Sequence, residues 1–249
     1  MNISIASYAF HGLLREGKID IFGYLETCKY RYGLASADIW NGFFPTIADD
    51  FLEKVKDGLA ERELTLANLC VDGPHIWEDD PDVRAKHHAE GLAYLAAAEF
   101  LGAQTIRIDA GVRADTFTEE QFDTIVARYR EYAQRAYDNG YRVGPENHWG
   151  AVVVPENMVR ICRAVDHPGF GMLLHFRGNA GDALMAPWAM HTHVSMEVVN
   201  NALEPSMALL CTAGYTGFWG VEHHSGQHEY AEVAIQVARV RSVLAGWRA

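Results

Sequence analysis

Apolar residues follow two alternating rhythms along the chain. Short, β-prone runs at Ile3–Tyr8, Leu34–Ile39, Leu64–Val71, Gln104–Asp109, Tyr141–Glu146, Phe170–His175, Trp188–Val194 and Gly217–Glu222 read as strands. Longer stretches between them carry an apolar stripe of helical period. From Glu119 to Tyr137 the stripe runs through Phe122, Ile125, Val126, Tyr129, Ala133 and Ala136; the last stretch repeats it with Val233, Val237, Val240 and Leu244. Thr118, with Glu120 and Gln121 in the turn that follows, and Pro155, followed by Glu156, read as helix starts. Gly33, Gly102 and Gly140 sit just before strands, where helix-ending glycines belong. Strands alternating with helices imply parallel pairing, because each crossover helix returns the chain in the same direction. Spread over 249 residues the eight units average about 31 residues, which predicts an α/β fold, a compact (β/α)8 TIM barrel, with residues 1–249 as a single domain. Only about a dozen residues separate the sixth and seventh strands, so the sixth helix is expected to be short or missing. An open doubly wound sheet is the competing architecture, but no G-x-G-x-x-G or P-loop follows an early strand to give it a site.

Composition narrows the class of protein. With 49% hydrophobic and 22% charged residues the chain is ordinary globular sequence. A domain of this size buries roughly three quarters of its unfolded surface and needs no disulfide staple. Against 21 Lys+Arg stand 33 Asp+Glu, a formal net charge of -12, which argues against nucleic acid as a partner. Cys28, Cys70, Cys162 and Cys211 form no C-x-x-C pair and fit reduced thiols in a cytoplasmic protein. The first residues, Met1 to Ser7, have neither a basic segment nor a long apolar run, so no secretory leader is expected. No apolar run approaches the roughly 18 residues of a membrane span.

In a barrel of this kind chemistry gathers at the C-terminal ends of the strands. The fifth strand ends in Glu146-Asn147-His148, the sixth in His175, the seventh in His191-Thr192-His193 and the eighth in Glu222-His223-His224. Glu146, His175, His193 and Glu222 make a mixed nitrogen and oxygen set suited to one divalent ion, Mn, Co, Fe or Zn rather than Mg or Ca. Such an ion could polarise a carbonyl while Glu146 and Glu222 move protons on opposite faces of a substrate. The other reading makes His191 or His193 and one glutamate ordinary polar lumen residues, hydrogen-bonded to one another. His148 and His224 flank ligand candidates and are placed to orient them. His11 and His75, beyond the first and third strands, either line the pocket or sit in solvent. Arg107 and Asp109 share one face of the fourth strand and read as an ion pair or a substrate contact. Arg177, a lone cation in the Leu174–Asn179 loop, either meets an anionic substrate group or faces solvent. Trp40, Trp77, Trp149 and Trp188 lie near strand tips, where an indole stacks on a ligand ring or packs the rim.

The stretches Gly144-Pro145-Glu146-Asn147-His148-Trp149-Gly150, Pro155-Glu156-Asn157 and Val165-Asp166-His167-Pro168-Gly169-Phe170-Gly171, with His191-Thr192-His193-Val194 and Gly220-Val221-Glu222-His223, carry a resemblance. Together they resemble the xylose isomerase-like barrel family, which includes sugar-phosphate isomerases/epimerases and ketose 3-epimerases. The resemblance implies one divalent metal held by a Glu, an Asp, a His and a Glu from strands five to eight. Glu146, His193 and Glu222 match. The Asp position falls on His175, in Leu173-Leu174-His175-Phe176-Arg177-Gly178-Asn179, where the family reads D-x-G-N. Two formal negative ligands then replace three: the site either persists as a neutral set for a softer metal, or holds its metal weakly or not at all, or Asp182, just downstream, swings in instead. Ser195 and Met196 stand where the family carries a lysine and an aspartate.

The implied activity is a sugar isomerase or epimerase that removes a proton beside a carbonyl, by way of an enediolate, with Glu146 and Glu222 as acid and base. A metal-dependent lyase or hydratase acting on a keto-sugar or 3-keto-glycoside is the alternative, since both begin with the same proton abstraction. An apurinic endonuclease-like phosphodiesterase would need more ligands and a basic groove, and a sugar-binding protein would follow from loss of the metal. The expected partner is a small carbohydrate, with neither nucleic acid nor membrane. Homo-oligomerisation through barrel faces is also implied, although no stripe marks an interface.

Overall fold

A computed structural model describes residues 2–247. The strands are β1 (Ile3–Ile5), β2 (Ser36–Trp40), β3 (Thr65–Val71), β4 (Thr105–Ile108), β5 (Arg142–Gly144), β6 (Met172–His175), β7 (Ala189–Val194) and β8 (Trp219–Val221). Each lies inside a run expected from the sequence except β2, which extends one residue beyond its run to Trp40. They form two parallel four-stranded sheets, ordered β1-β8-β7-β6 and β2-β3-β4-β5. Single bridges close the circle: Ala6 with Asp38 between β1 and β2, and Val143 with Phe170 and Glu146 with Leu173 between β5 and β6. The result is an α/β barrel of the TIM type.

Where the ladders thin to bridges, side chains complete the pairing. The buried Tyr24 hydroxyl accepts from the Asp38 N–H at 2.8 Å and donates to the Ile5 carbonyl, and Ser36 Oγ donates to the Ile3 carbonyl at 2.7 Å. At the other seam Asn147 brackets the His175 backbone, its Oδ1 accepting from the N–H at 2.7 Å and its Nδ2 donating to the carbonyl at 3.0 Å.

Helices surround the sheet: α1 (His11–Arg15), α2 (Ile21–Glu26), α3 (Asp49–Glu61), α4 (Pro81–Leu101), α5 (Glu119–Asp138), α6 (Pro155–Val165), α7 (Ala180–Met185), α8 (Met196–Asn201), α9 (Leu203–Thr212) and α10 (Glu229–Gly246). The Thr118 start is a full capping box, with Thr118 Oγ1 accepting from the Gln121 N–H and the Gln121 side chain returning to Thr118. α4 stops at Gly102, whose φ of 72° is left-handed and free of Cβ strain only in glycine. The connection between β6 and β7 holds only the six-residue α7 and one 3-10 turn, the short sixth helix that the spacing predicts. The expected stripe of α5 is buried, joined by Tyr132. In α10 Val233, Val237 and Val240 are buried while Leu244 packs only partly. One continuous hydrophobic cluster runs from Ile3 to Val240.

Two register irregularities aim the lumen. β2 pairs with β3 as Ala37 with Leu66 and then Asp38 with Asn68, so β3 carries an extra residue at Ala67. β6 pairs with β7 as Met172 with Ala189 and then Leu173 with His191, so Met190 is the extra residue there. A one-residue slip turns a side chain to the other face of a sheet. The second bulge therefore sets His193, rather than Thr192, opposite His175.

Candidate functional site

The strand ends open into a cavity of about 960 Å³. On its floor Glu146, His175, His193 and Glu222 converge from β5 to β8, all four residues buried. Glu146 Oε1 lies 3.0 Å from His175 Nδ1 and 3.1 Å from His193 Nδ1. Glu222 Oε2 lies 3.3 Å from each of the same two nitrogens. Donors held about 2.0–2.1 Å from a central ion stand roughly 2.9–3.4 Å apart, from octahedral to tetrahedral geometry, so these spacings fit a single cation. A second feature agrees. Glu222 Oε2 is buried with three imidazole nitrogens close by, yet has no aligned hydrogen bond among the described residues. An unsatisfied buried carboxylate oxygen costs more than about 1–3 kcal/mol unless something else meets it. Two carboxylates and two neutral imidazoles would match a divalent charge, and the residues fit the metal that the fold family implies.

The remaining charges act on this cluster. Burial pushes the Glu146 carboxyl up, but His148, His193 and the hydrogen bond from His175 hold it well below the usual carboxylate range. Glu222 is depressed in the same way, burial being outweighed by His193 and His224. Burial disfavours the charged form of His193, but Glu222, Glu146 and Asp38 raise its affinity for a proton well above the ordinary value. Arg107 lies along the wall, its Nη1 2.6 Å from Asp72 Oδ1 and 2.9 Å from Asp109 Oδ2, its Nε 3.3 Å from Glu146 Oε2. It is the expected ion pair with Asp109, extended to two more carboxylates.

The other candidates separate into three groups. Arg107, His148, Arg177 and His224 line the cavity. His148 Nδ1 stands 3.2 Å from Glu146 Oε2 and His224 Nε2 3.0 Å from Glu222 Oε2. Arg177 is tethered, its Nη2 donating to the carbonyls of Asn147 and His148 at 3.2 and 3.3 Å. His191 is fully buried beneath the cluster and meets Asp38. Trp149, His75 and His11 stand behind the wall. Trp149 Nε1 donates to Asp109 Oδ2 at 3.0 Å, and the His75 ring leans on Trp149 with 5.0 Å between centroids. His11 stacks on Tyr8, its Nδ1 2.8 Å from the Tyr8 carbonyl oxygen, so Tyr8 and not His11 faces the cavity. Of the tryptophans Trp40 lines the cavity, its Nε1 donating to Asp72 Oδ2 at 2.7 Å. Asp182 does not reach the cluster: its carboxylate accepts the backbone N–H groups of Arg177 and Gly178.

His75 Nδ1, Glu78 Oε1 and His87 Nδ1 also cluster, but the His87 nitrogen already accepts the His75 backbone N–H at 3.2 Å. That group ties down a loop.

Reading strand ends alone passes over Tyr8, although it closes the first expected run, and misses Asp38, Asn68, Cys70 and Asp72. A signal existed for two of them. Asp38 and Asn68 interrupt otherwise apolar strands of a parallel sheet, where a polar residue must find a partner in the lumen.

Similarity to known proteins bears on the fold that carries this site. No curated protein matches the chain significantly. Among solved structures, 3-keto-D-glucoside 4-epimerase from E. coli superposes with a TM-score of 0.78 at 15% identity, over 97% of this chain and 99% of that one. A probable 3-DHS dehydratase from Bacillus anthracis gives 0.74 at 15% identity, over 97% and 99%. A xylose isomerase-like TIM barrel protein from Mycobacterium smegmatis, in complex with magnesium, gives 0.73 at 16%, over 93% and 91%. At these identities the likeness is one of fold. The family model for the xylose isomerase-like TIM barrel matches residues 30–177, more than half of the sequence and the span that carries Glu146 and His175. The chain belongs to the xylose isomerase-like TIM barrel family.

Proposed function

We propose that this protein is a divalent-metal-dependent isomerase or epimerase of a keto-sugar, with Glu146, His175, His193 and Glu222 as ligands and Glu146 and Glu222 as the acid/base pair. The observation that carries the reading is the convergence of four buried donors at single-ion spacing, with Glu222 Oε2 left without an aligned hydrogen bond. A divalent ion bound there would supply Lewis-acid polarisation of a carbonyl and its neighbouring hydroxyl. The two glutamates enter from β5 and β8, so a substrate carbon lying between them presents one face to each. Arg107 and His148 lie close to Glu146 and favour its ionised form. Glu222, beside the half-exposed His224, stands nearer to solvent. Proton removal by one carboxylate and return by the other, through an enediolate, inverts the carbon; return to the adjacent carbon isomerises the sugar.

A second reading, a lyase or hydratase acting on a 3-keto-glycoside, has its own support. At about 960 Å³ the cavity is at the upper end of the roughly 300–1,000 Å³ range of small-molecule sites, room for a glycoside as well as a monosaccharide. The fold likeness to both an epimerase and a dehydratase is in keeping with either outcome. In this proposal residues 1–249 work as one domain in the cytoplasm. The net charge of -12 supports a small polar substrate over nucleic acid.

The test is elemental analysis of protein purified without added metal, before and after chelation, with turnover assayed on a panel of ketoses and keto-glycosides. About one Mn, Co, Fe or Zn per chain, lost together with turnover, is expected. Metal-free protein with full turnover would overturn the reading. His175→Asp, which restores a third carboxylate, should shift preference toward Mg and Mn. An unchanged preference would remove His175 from the ligand set.

A further inference from the structure

Beneath the four donors the lumen holds a carboxylate that the reaction above does not use. Asp38, on β2, is completely buried, and among the described residues no lysine or arginine is a hydrogen-bond partner of it. Its Oδ2 lies 2.7 Å from His191 Nε2 and 3.1 Å from His193 Nε2, and its Oδ1 accepts from Asn68 Nδ2 at 3.0 Å. Its backbone N–H is held by the Tyr24 hydroxyl, and the bulge at Ala67 sets it beside Asn68. Gly220 leaves room for the two imidazoles: a Cβ there would lie 3.0 Å from His191 Nε2 and 3.1 Å from His193 Cδ2.

An ionised carboxylate only accepts, so each imidazole that meets Asp38 through Nε2 must carry a proton there. For His193 the consequence reaches the cluster above. With Nε2 committed to Asp38, Nδ1 is the nitrogen left to face Glu146 Oε1 at 3.1 Å and Glu222 Oε2 at 3.3 Å. A metal-binding histidine commonly donates its other ring N–H to a carboxylate, which fixes both tautomer and ring orientation.

We propose that Asp38, steadied by His191 and Asn68, is a positioning residue that holds His193 with its proton on Nε2 and so presents the Nδ1 lone pair to a divalent cation at the Glu146/His175/Glu222 cluster. This rests on the metal-centre reading of that cluster. The same atoms of Asp38, His191 and His193 lie close enough together to suggest a second ion. The 2.7 Å contact between Asp38 Oδ2 and His191 Nε2 is instead a hydrogen-bond length, shorter than the roughly 2.9–3.4 Å between donors sharing one ion.

The experiment compares wild type with Asp38→Asn, which keeps one acceptor oxygen, and Asp38→Ala. Long-range ¹⁵N–¹H spectra of the metal-free protein report the His193 ring protons, competition with a chromophoric chelator gives Zn(II) affinity and stoichiometry, and circular dichroism checks the fold. The expected result is an exchange-protected His193 Nε2 proton in metal-free wild type, retained when Zn(II) binds. Zn(II) affinity should fall about 10–100-fold in Asp38→Ala. It should fall less in Asp38→Asn, with the fold intact. Unchanged Zn(II) affinity in both variants, or no Nε2 proton on His193 in wild type, overturns the proposal. Two Zn(II) ions per wild-type chain, falling to one in Asp38→Ala, overturn it in favour of an inner ion. Should wild type bind no Zn(II) while the Asp38-dependent Nε2 proton is present, the metal-centre reading fails and only the hold on the tautomer stands.

Discussion

Strands β5 to β8 deliver Glu146, His175, His193 and Glu222, whose donor atoms crowd to 3.0–3.3 Å and leave Glu222 Oε2 without an aligned hydrogen bond. Strands β2 to β4 and the residues just beyond them deliver Asp38, Asn68, Asp72, Arg107 and Asp109, and these bind one another or their neighbours. The first half of the barrel thus ties its buried polar side chains mainly to one another, with Arg107 Nε and Asp109 Oδ1 left without hydrogen bonds among the described residues, and acts as a brace. The second half leaves an unsettled cluster exposed to the cavity. Buried polar groups cost free energy unless they are paired, and each half leaves some unmet: Arg107 Nε and Asp109 Oδ1 in the brace, Glu222 Oε2 among the four converging donors. The brace touches the cluster at two points, Arg107 against Glu146 and Asp38 against His193.

The difference can be broken from either side. The largest effect is expected from Glu146→Gln and Glu222→Gln, each lowering kcat on an accepted keto-sugar by about 10²–10⁴-fold while the denaturation midpoint stays near wild type. Full activity in either variant would exclude that glutamate as acid or base. Arg107→Met strikes the brace instead: it strands buried Asp109 and Glu146 without their counter-charge and should cost about 3–5 kcal/mol in urea unfolding. If stability were unchanged and only turnover fell, Arg107 would belong to the reacting half. A smaller loss, about 1–3 kcal/mol, is expected from Tyr24→Phe, which leaves the Asp38 N–H and the Ile5 carbonyl without their shared hydroxyl at the β1/β2 seam. Thr118→Ala, remote from both halves of the site, should cost about 1 kcal/mol through the capping box and leave turnover untouched.

The sequence carried the ligand half better than the brace. Glu146 and Glu222 close their expected runs and His193 stands one residue before the end of its own, and the E-N-H segment is explained residue by residue: Glu146 faces the cavity, Asn147 clamps the β6 backbone, and His148 bears on Glu146. Asp38 lies in mid-strand, where its partners are 153 and 155 positions away in sequence. Its interruption of an apolar strand marks it for the lumen, but nothing local names those partners. His11 and His75 failed to reach the cavity for a related reason: a neighbouring aromatic ring, Tyr8 or Trp149, packs against each.

What the sequence determined by itself was the alternation of strand and helix, the helix caps at Thr118 and Gly102, the short sixth connection and the polar strand ends, because each depends on neighbours within a few residues. Tertiary structure decided which of these polar groups meet. The bulge at Met190 sets His193 opposite His175, the bulge at Ala67 sets Asp38 beside Asn68, and closure of the barrel brings Asp38 beneath His193. Register in a sheet has a period of two, so one inserted residue decides whether a side chain enters the lumen or leaves it, and only the paired strands fix that choice.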